Sequence, residues 1–185
     1  MISMKDAFNL AESYGVKKDW KKAYDYYVIA AMQGHVEAQC KAGLIAQHYG
    51  LIKEAEKYLT MAISNGSVYS NFPLGEMYQE GKLGGPFHMK KAYKYYMAAA
   101  KGGIPDAQYK IAVMNYLNKG VKGSSKDFFF WLGCAYLNGF PKAIESVKVT
   151  FKGYEELKRN FMTSICPDII SNHPELIPEY FSSRK

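Results

Sequence analysis

Small and bulky apolar residues recur along residues 4–143 in one arrangement that returns four times. Counting back from Gly34, a small residue stands at −11 (Ala23), a bulky pair at −8 and −7 (Tyr26, Tyr27) and a second small residue at −4 (Ala30). From Gly66 the same offsets hold Ala55, Tyr58, Leu59 and Ala62, and from Gly103 they hold Ala92, Tyr95, Tyr96 and Ala99. From Gly139 they hold Phe128, Trp131, Leu132 and Ala135, so only Phe128 breaks the size rule. These offsets trace one face of an α-helix. A further small residue follows each glycine by four: Ala38, Ser70, Ala107 and Ala143. The glycines lie 32, 37 and 36 residues apart, a period typical of stacked helical repeats. The pattern predicts first-in-pair helices near 4–14, 36–49, 68–80 and 105–119. Second-in-pair helices are predicted near 20–33, 52–65, 88–102 and 126–138.

Punctuation supports these limits. Each repeat glycine stands where a helix ends on a left-handed residue, a conformation glycine adopts without a Cβ clash. Pro105 and Pro141 suit a first helical turn, where the missing N–H costs nothing. Asp19 and Asp127 place negative charge near helix starts. A single hairpin cannot cover its own apolar face, so such units must stack. Beyond the repeats, Ile144, Val147, Phe151, Tyr154, Leu157, Phe161 and Ile165 step by three and four. They predict one long amphipathic capping helix over 141–164. Pro167, Pro174 and Pro178 are too frequent for a helix of any length. Residues 166–185 are therefore expected to be an irregular tail, with one short turn at 174–181, packed on the array through Ile169, Ile170, Leu176, Ile177, Tyr180 and Phe181; a rival reading docks this tail in another molecule.

Gly15, Val16, Asp19, Lys22, Ala23, Tyr26, Tyr27, Ala30, Ala31, Gly34, Ala38 and Gln39 together resemble the Sel1-like repeat, a relative of the tetratricopeptide repeat. Lys91, Ala92, Tyr95, Tyr96, Ala99, Ala100, Gly103, Ala107 and Gln108 match it again. Leu74, Gly75 and Tyr78 resemble its first helix, and Gly120-Val121 the start of a fourth unit. The resemblance covers roughly residues 4–143. It implies an all-α fold, a right-handed α-α superhelix (solenoid) of about four hairpins, here spanning 1–165 with its capping helix. Two departures stand out: the short Tyr49-Gly50-Leu51 connection and Phe128.

Composition narrows the function. The chain has 185 residues, 48% of them hydrophobic, which excludes a disordered protein. No run approaches the ~18 apolar residues of a membrane span, and the first residues lack a secretory core. Three cysteines, odd in number and scattered, fit a reducing cytoplasm better than a disulfide scaffold. Export independent of a signal remains compatible with this. The net charge of +7 is uneven, +2 over residues 1–92 and +5 over 93–185, and favours acidic partners.

No catalytic constellation emerges. His35, His48, His88 and His173 lack the spacing of a zinc site. Gly120–Lys126 lacks the spacing of a phosphate loop. Glu54/Glu56 and Glu155/Glu156 sit on lysine-rich helices with no apolar pocket to shift their pKa. KKAYDYY (21–27) and KKAYKYY (90–96) interleave bases with aromatics, as single-strand binders do, yet the repeat accounts for the tyrosines. A non-enzymatic protein with no cofactor or metal is expected.

The resemblance implies a scaffold or adaptor that binds a protein or peptide, acidic or amphipathic, on the concave side lined by first-in-pair helices. The residues on that side are Lys41, Leu44, Ile45 and His48; Pro73, Glu76, Met77 and Glu80; and Lys110, Val113, Met114 and Leu117. Regulatory, host-directed and toxin-neutralising roles all occur among such proteins. Lys148, Lys152 and Arg159 form a basic stripe on the capping helix. A monomer away from membranes is expected. The alternatives are a basic nucleic-acid-binding repeat protein and, more distantly, a hydrolase with a groove site.

Overall fold

A computed structural model describes residues 2–84, 88–152 and 155–177, and all regular structure in them is helical. The chain divides into two compact units, Met1–Pro86 and Phe87–Lys185. The first holds α1 (Met4–Val16), α2 (Trp20–Met32), α3 (Val36–His48), α4 (Ile52–Ser64) and α5 (Asn71–Gln79). The second holds α6 (Met89–Lys101), α7 (Pro105–Tyr116), α8 (Ser125–Leu137), α9 (Pro141–Thr150), α10 (Glu155–Asn160) and α11 (Cys166–Asn172). A π-helical turn, Phe161–Ile165, joins α10 to α11, and a 3-10 turn, Pro174–Leu176, follows. The eight helices expected from the cadence are all present; α5 starts three residues late. The sequence reads α5 and α6 as one hairpin, yet they belong to different units.

Hydrogen bonding explains the spacing. Ala30, the small residue at −4, lends its carbonyl to His35 N–H at 3.1 Å, while Gly34 N–H donates to Ala31 at 3.0 Å. This paired closure of a helix end needs a left-handed residue between, and Gly34 supplies it with φ of 97°. The same two bonds recur at Ser67→Ala62 and Gly66→Ile63, Ile104→Ala99 and Gly103→Ala100, and Phe140→Ala135 and Gly139→Tyr136. Starts are equally defined. Ser3, Asp19, His35 and Ser124 accept from the N–H three residues on, which satisfies donors that a helix start leaves open.

The core of the first unit is built on alanine. Ala7, Ala11, Ala23, Ala30, Ala31, Ala38 and Ala42 are all fully buried, with Tyr27 and Tyr58 filling between them. In every bulky pair the second member lies deepest: Tyr27, Leu59, Tyr96 and Leu132. Helices α3 and α4 approach closely at Gly43. A Cβ on Gly43 would stand 2.7 Å from Leu59 Cγ and 3.1 Å from its backbone nitrogen.

Buried amides tie successive hairpins together. Gln39 Nε2 donates to the Ala31 carbonyl (3.0 Å) and its Oε1 accepts from Asn65 Nδ2 (2.9 Å). The second unit repeats this with Gln108, Ala100 (3.2 Å) and Asn138 (2.8 Å). Buried polar groups need such partners, because one left without costs about 1–3 kcal/mol.

The C-terminal part corrects the sequence reading twice. The single helix expected over 141–164 ends at Thr150, with Phe151 as its C-cap. Phe151 stacks on Phe129 at 5.9 Å and meets Phe161 at 5.2 Å, so aromatic packing brings α10 and the π turn back onto the end of α9. The apolar stripe keeps its residues here, Phe151 and Phe161 being buried, while Tyr154 and the side chain of Leu157 lie outside the described residues. The second correction concerns 166–172, expected irregular on account of Pro167 but helical. Proline removes one N–H and crowds the carbonyl four residues back. The π turn, in which Cys166 N–H reaches the Phe161 carbonyl, resets the register so that Pro167 falls in the first turn of α11, where proline is tolerated. This continuous helical run crosses the expected boundary at 165. Of the turn expected at 174–181, Pro174–Leu176 is present; Pro178, Tyr180 and Phe181 lie outside the described residues.

Candidate functional site

Helix α3 has two unlike faces. Ala38, Ala42, Gly43 and Ala46 are buried against α2 and α4. On the other side Leu44 is 43% exposed, Ile45 half-buried and His48 exposed. With Trp20 and Tyr49 these three residues line an apolar pocket of about 300 Å³. Trp20 is the first residue of α2, directly after its N-cap Asp19. Its ring packs beside Gly15, where a Cβ would stand at an ordinary contact distance of 3.7 Å from Trp20 Cζ3. Tyr49 is the C-cap of α3, and its ring meets His48 edge-on at 5.3 Å.

One turn back along α3, Lys41 gathers a charged network. Its Nζ lies 2.6 Å from Glu12 and 3.0 Å from Glu37, and Tyr27 donates its hydroxyl proton to Glu12 at 2.5 Å. The ammonium also lies over the rings of Phe8 (5.3 Å) and Tyr27 (5.7 Å), a favourable position for a cation. Burial works to raise the Glu12 carboxyl, but the bonds from Lys41 and Tyr27 outweigh it and hold it below its ordinary value. Burial works to lower Lys41, and its two carboxylates raise it instead. Burial, then the bond to Glu12, pushes the Tyr27 hydroxyl well up. The network therefore stays charged and locked at neutral pH. Lys41 is paired within the unit by Glu12 and Glu37.

The other expected binding residues differ in how far their own units cover them. Pro73, Met77 and Met114 are buried, so they pack inside their units; periodicity marks a face without saying which part of it neighbours cover. Glu76 and Val113 are half-buried. Glu80 is exposed and pairs with Lys82 at 2.5 Å. Lys110 lies over the Tyr96 ring at 5.9 Å, and Leu117 is 47% exposed. Of the expected residues, Leu44, Ile45 and His48 share the pocket beside Trp20 and Tyr49. Trp20 and Tyr49 escaped the sequence reading, although the cadence held a signal. Fourteen residues before the repeat glycines stand Trp20, Ile52, Met89 and Ser125, and the tryptophan is the outlier.

The expected basic stripe is also broken. Lys148, Lys152 and Arg159 are all exposed, but α9 ends between the first two and Arg159 belongs to α10, so helical spacing does not align them. In the Gly120–Lys126 loop, a Cβ on Gly123 would meet the Asn115 carbonyl, and Ser124 caps α8. That loop is packed against backbone and leaves no cradle at Gly123. Burial pushes the thiols of Cys134 and Cys166 up to about 12 and about 11, which makes them inert core residues. Among the described residues no cluster of three His, Cys, Asp or Glu could hold a metal, and no helix is long and apolar enough to cross a membrane.

No family model matches the chain. A curated relative, chitin synthase regulatory factor 3 of Schizosaccharomyces pombe, is 26% identical over 149 residues, covering 77% of this chain. The match spans only 16% of that protein. Two solved structures share the fold at 23% identity. One is c5321, a protective antigen of uropathogenic Escherichia coli strains displaying an SLR (Sel1-like repeat) fold, with a TM-score of 0.81 over 97% of this chain and 40% of that one. The other is a Sel1 repeat protein from Oxalobacter formigenes, with a TM-score of 0.72 over 86% of this chain and 69% of that one.

Proposed function

The chain has the Sel1-like repeat fold, and from that premise we propose that it is a non-enzymatic protein-binding module whose first-in-pair helices, α3 above all, receive a segment of a partner protein. The observation that carries this reading is the convergence of Leu44, Ile45, His48, Trp20 and Tyr49 on one apolar pocket at the surface. Folding has already placed these side chains, so docking avoids much of the ordering cost that weakens flexible interfaces. The regulatory factor among its relatives supports a finer form, in which the module recruits or restrains its partner.

The reading is tested by capture. The full chain, immobilised, retains a partner from the source cell's extract, and Leu44→Asp abolishes retention while leaving the helical circular dichroism unchanged. Equal retention by the wild-type chain and by Leu44→Asp combined with Leu117→Asp overturns it.

A further inference from the structure

Resting on that reading, we propose that the α3 pocket accepts one large apolar side chain, phenylalanine above all, from a partner segment whose flanking residues are acidic. Size and lining make the first half of the case. At about 300 Å³ the pocket falls at the lower limit of sites for small molecules, about 300–1,000 Å³, and suits a single anchoring side chain. Trp20, Leu44 and Tyr49 keep 45%, 43% and 54% of their surface open to water. An aromatic ring seated among them would remove apolar area on both sides of the contact.

Charge makes the second half. Lys17, Lys18 and Lys21 lie within three residues of Trp20 and are all exposed. None has an ion-pair partner among the described residues. Most acids nearby are already engaged: Asp19 holds Lys22 at 3.5 Å and caps α2, and Glu12 and Glu37 are bound to Lys41; Asp25, exposed four residues after Lys21, offsets one of the three lysines. The segment that carries Trp20 therefore has a net excess of positive charge. Carboxylates flanking the anchor match that field, which also steers their approach.

The test uses the full chain and fluorescein-labelled nine-residue synthetic peptides, read by anisotropy. One has a central Phe flanked by Glu and Asp, one replaces Phe by Ala, and one keeps Phe between lysines. The acidic Phe peptide should bind and shift the Trp20 indole N–H resonance, one of two such signals in the chain. Loss of the anchor should weaken binding about ten- to a hundredfold, and the lysine-flanked peptide should bind still less. Leu44→Ser should weaken the acidic Phe peptide about tenfold with the fold intact. Lys17→Glu, Lys18→Glu and Lys21→Glu combined should weaken it and flatten its salt dependence. Equal affinity for the Phe and Ala peptides, an unmoved Trp20 indole, or displacement by a single-stranded oligonucleotide at matching charge overturns the proposal. So does self-association of the chain that Leu44→Ser abolishes in sedimentation, since the pocket's occupant is then a second copy. If partner capture depends on Leu44 while the peptides fail, the anchor falls and the binding module stands.

Discussion

The amide pair Gln39–Asn65 in the first unit and its counterpart Gln108–Asn138 in the second are built alike, yet they end differently. Each glutamine is buried, donates to the end of the preceding second helix and accepts from the asparagine before the next repeat glycine. In the second unit the Leu176 carbonyl also enters, 2.5 Å from Gln108 Nε2 and 2.8 Å from Asn138 Nδ2. Asn138 spends its donors there, and its Oδ1 has no partner among the described residues. In the first unit Asn65 stays exposed, so water completes its bonding. Identical repeat chemistry thus gives an open edge in one unit. In the other it gives a latch on which the C-terminal segment closes, sealed by Leu176 and Ile177.

The closing segment should matter most where its aromatic packing is densest. Phe161, 1% exposed, meets Phe151 and Tyr136; Phe161→Ala should cost about 3–5 kcal/mol, seen as a lower urea midpoint in the fluorescence of buried Trp131. Next come the amides. Gln108→Ala leaves the Ala100 carbonyl with Gly103 N–H alone and takes one of two donors from the Leu176 carbonyl in a buried site, at a cost of about 3 kcal/mol, whereas Gln39→Ala should cost about 1 kcal/mol because its asparagine partner reaches water. Equal losses would show that the latch adds nothing to the shared node. The smallest effect belongs to the charged network of the first unit. Glu12 is held below its ordinary 4.5, so its contribution is present above that value and fades as pH falls through the lower folded value. Glu12→Gln should flatten this acid-side loss, by less than about 1 kcal/mol because Glu12 and Lys41 are 43% and 33% exposed and screened. Urea midpoints between pH 3 and 7 check it.

Much of the architecture was legible. The alanine at −4 and the glycine specify a helix closure through bonds made within seven residues, so sequence spacing reports them directly. The second member of each bulky pair faces inward for the same local reason. The candidate site was legible only in part. Leu44, Ile45 and His48 follow from the period of α3, but Trp20 and Tyr49 reach the pocket from other turns of the fold. Met77 and Met114 share the same helical phase and are nevertheless buried.

Helix positions, their caps and the inward face of each repeat were set by interactions between residues close along the chain, and these carry a periodic signature. Where the capping helix stops, how Pro167 is accommodated and which part of an apolar face stays open were settled by contacts across tens of residues, such as Ile169 over Gly133, where an added Cβ would stand 2.7 Å from Ile169 Cδ1, and Gln108 against Leu176. Such contacts leave no period, because each depends on the shape of a neighbour that exists only once the chain has folded.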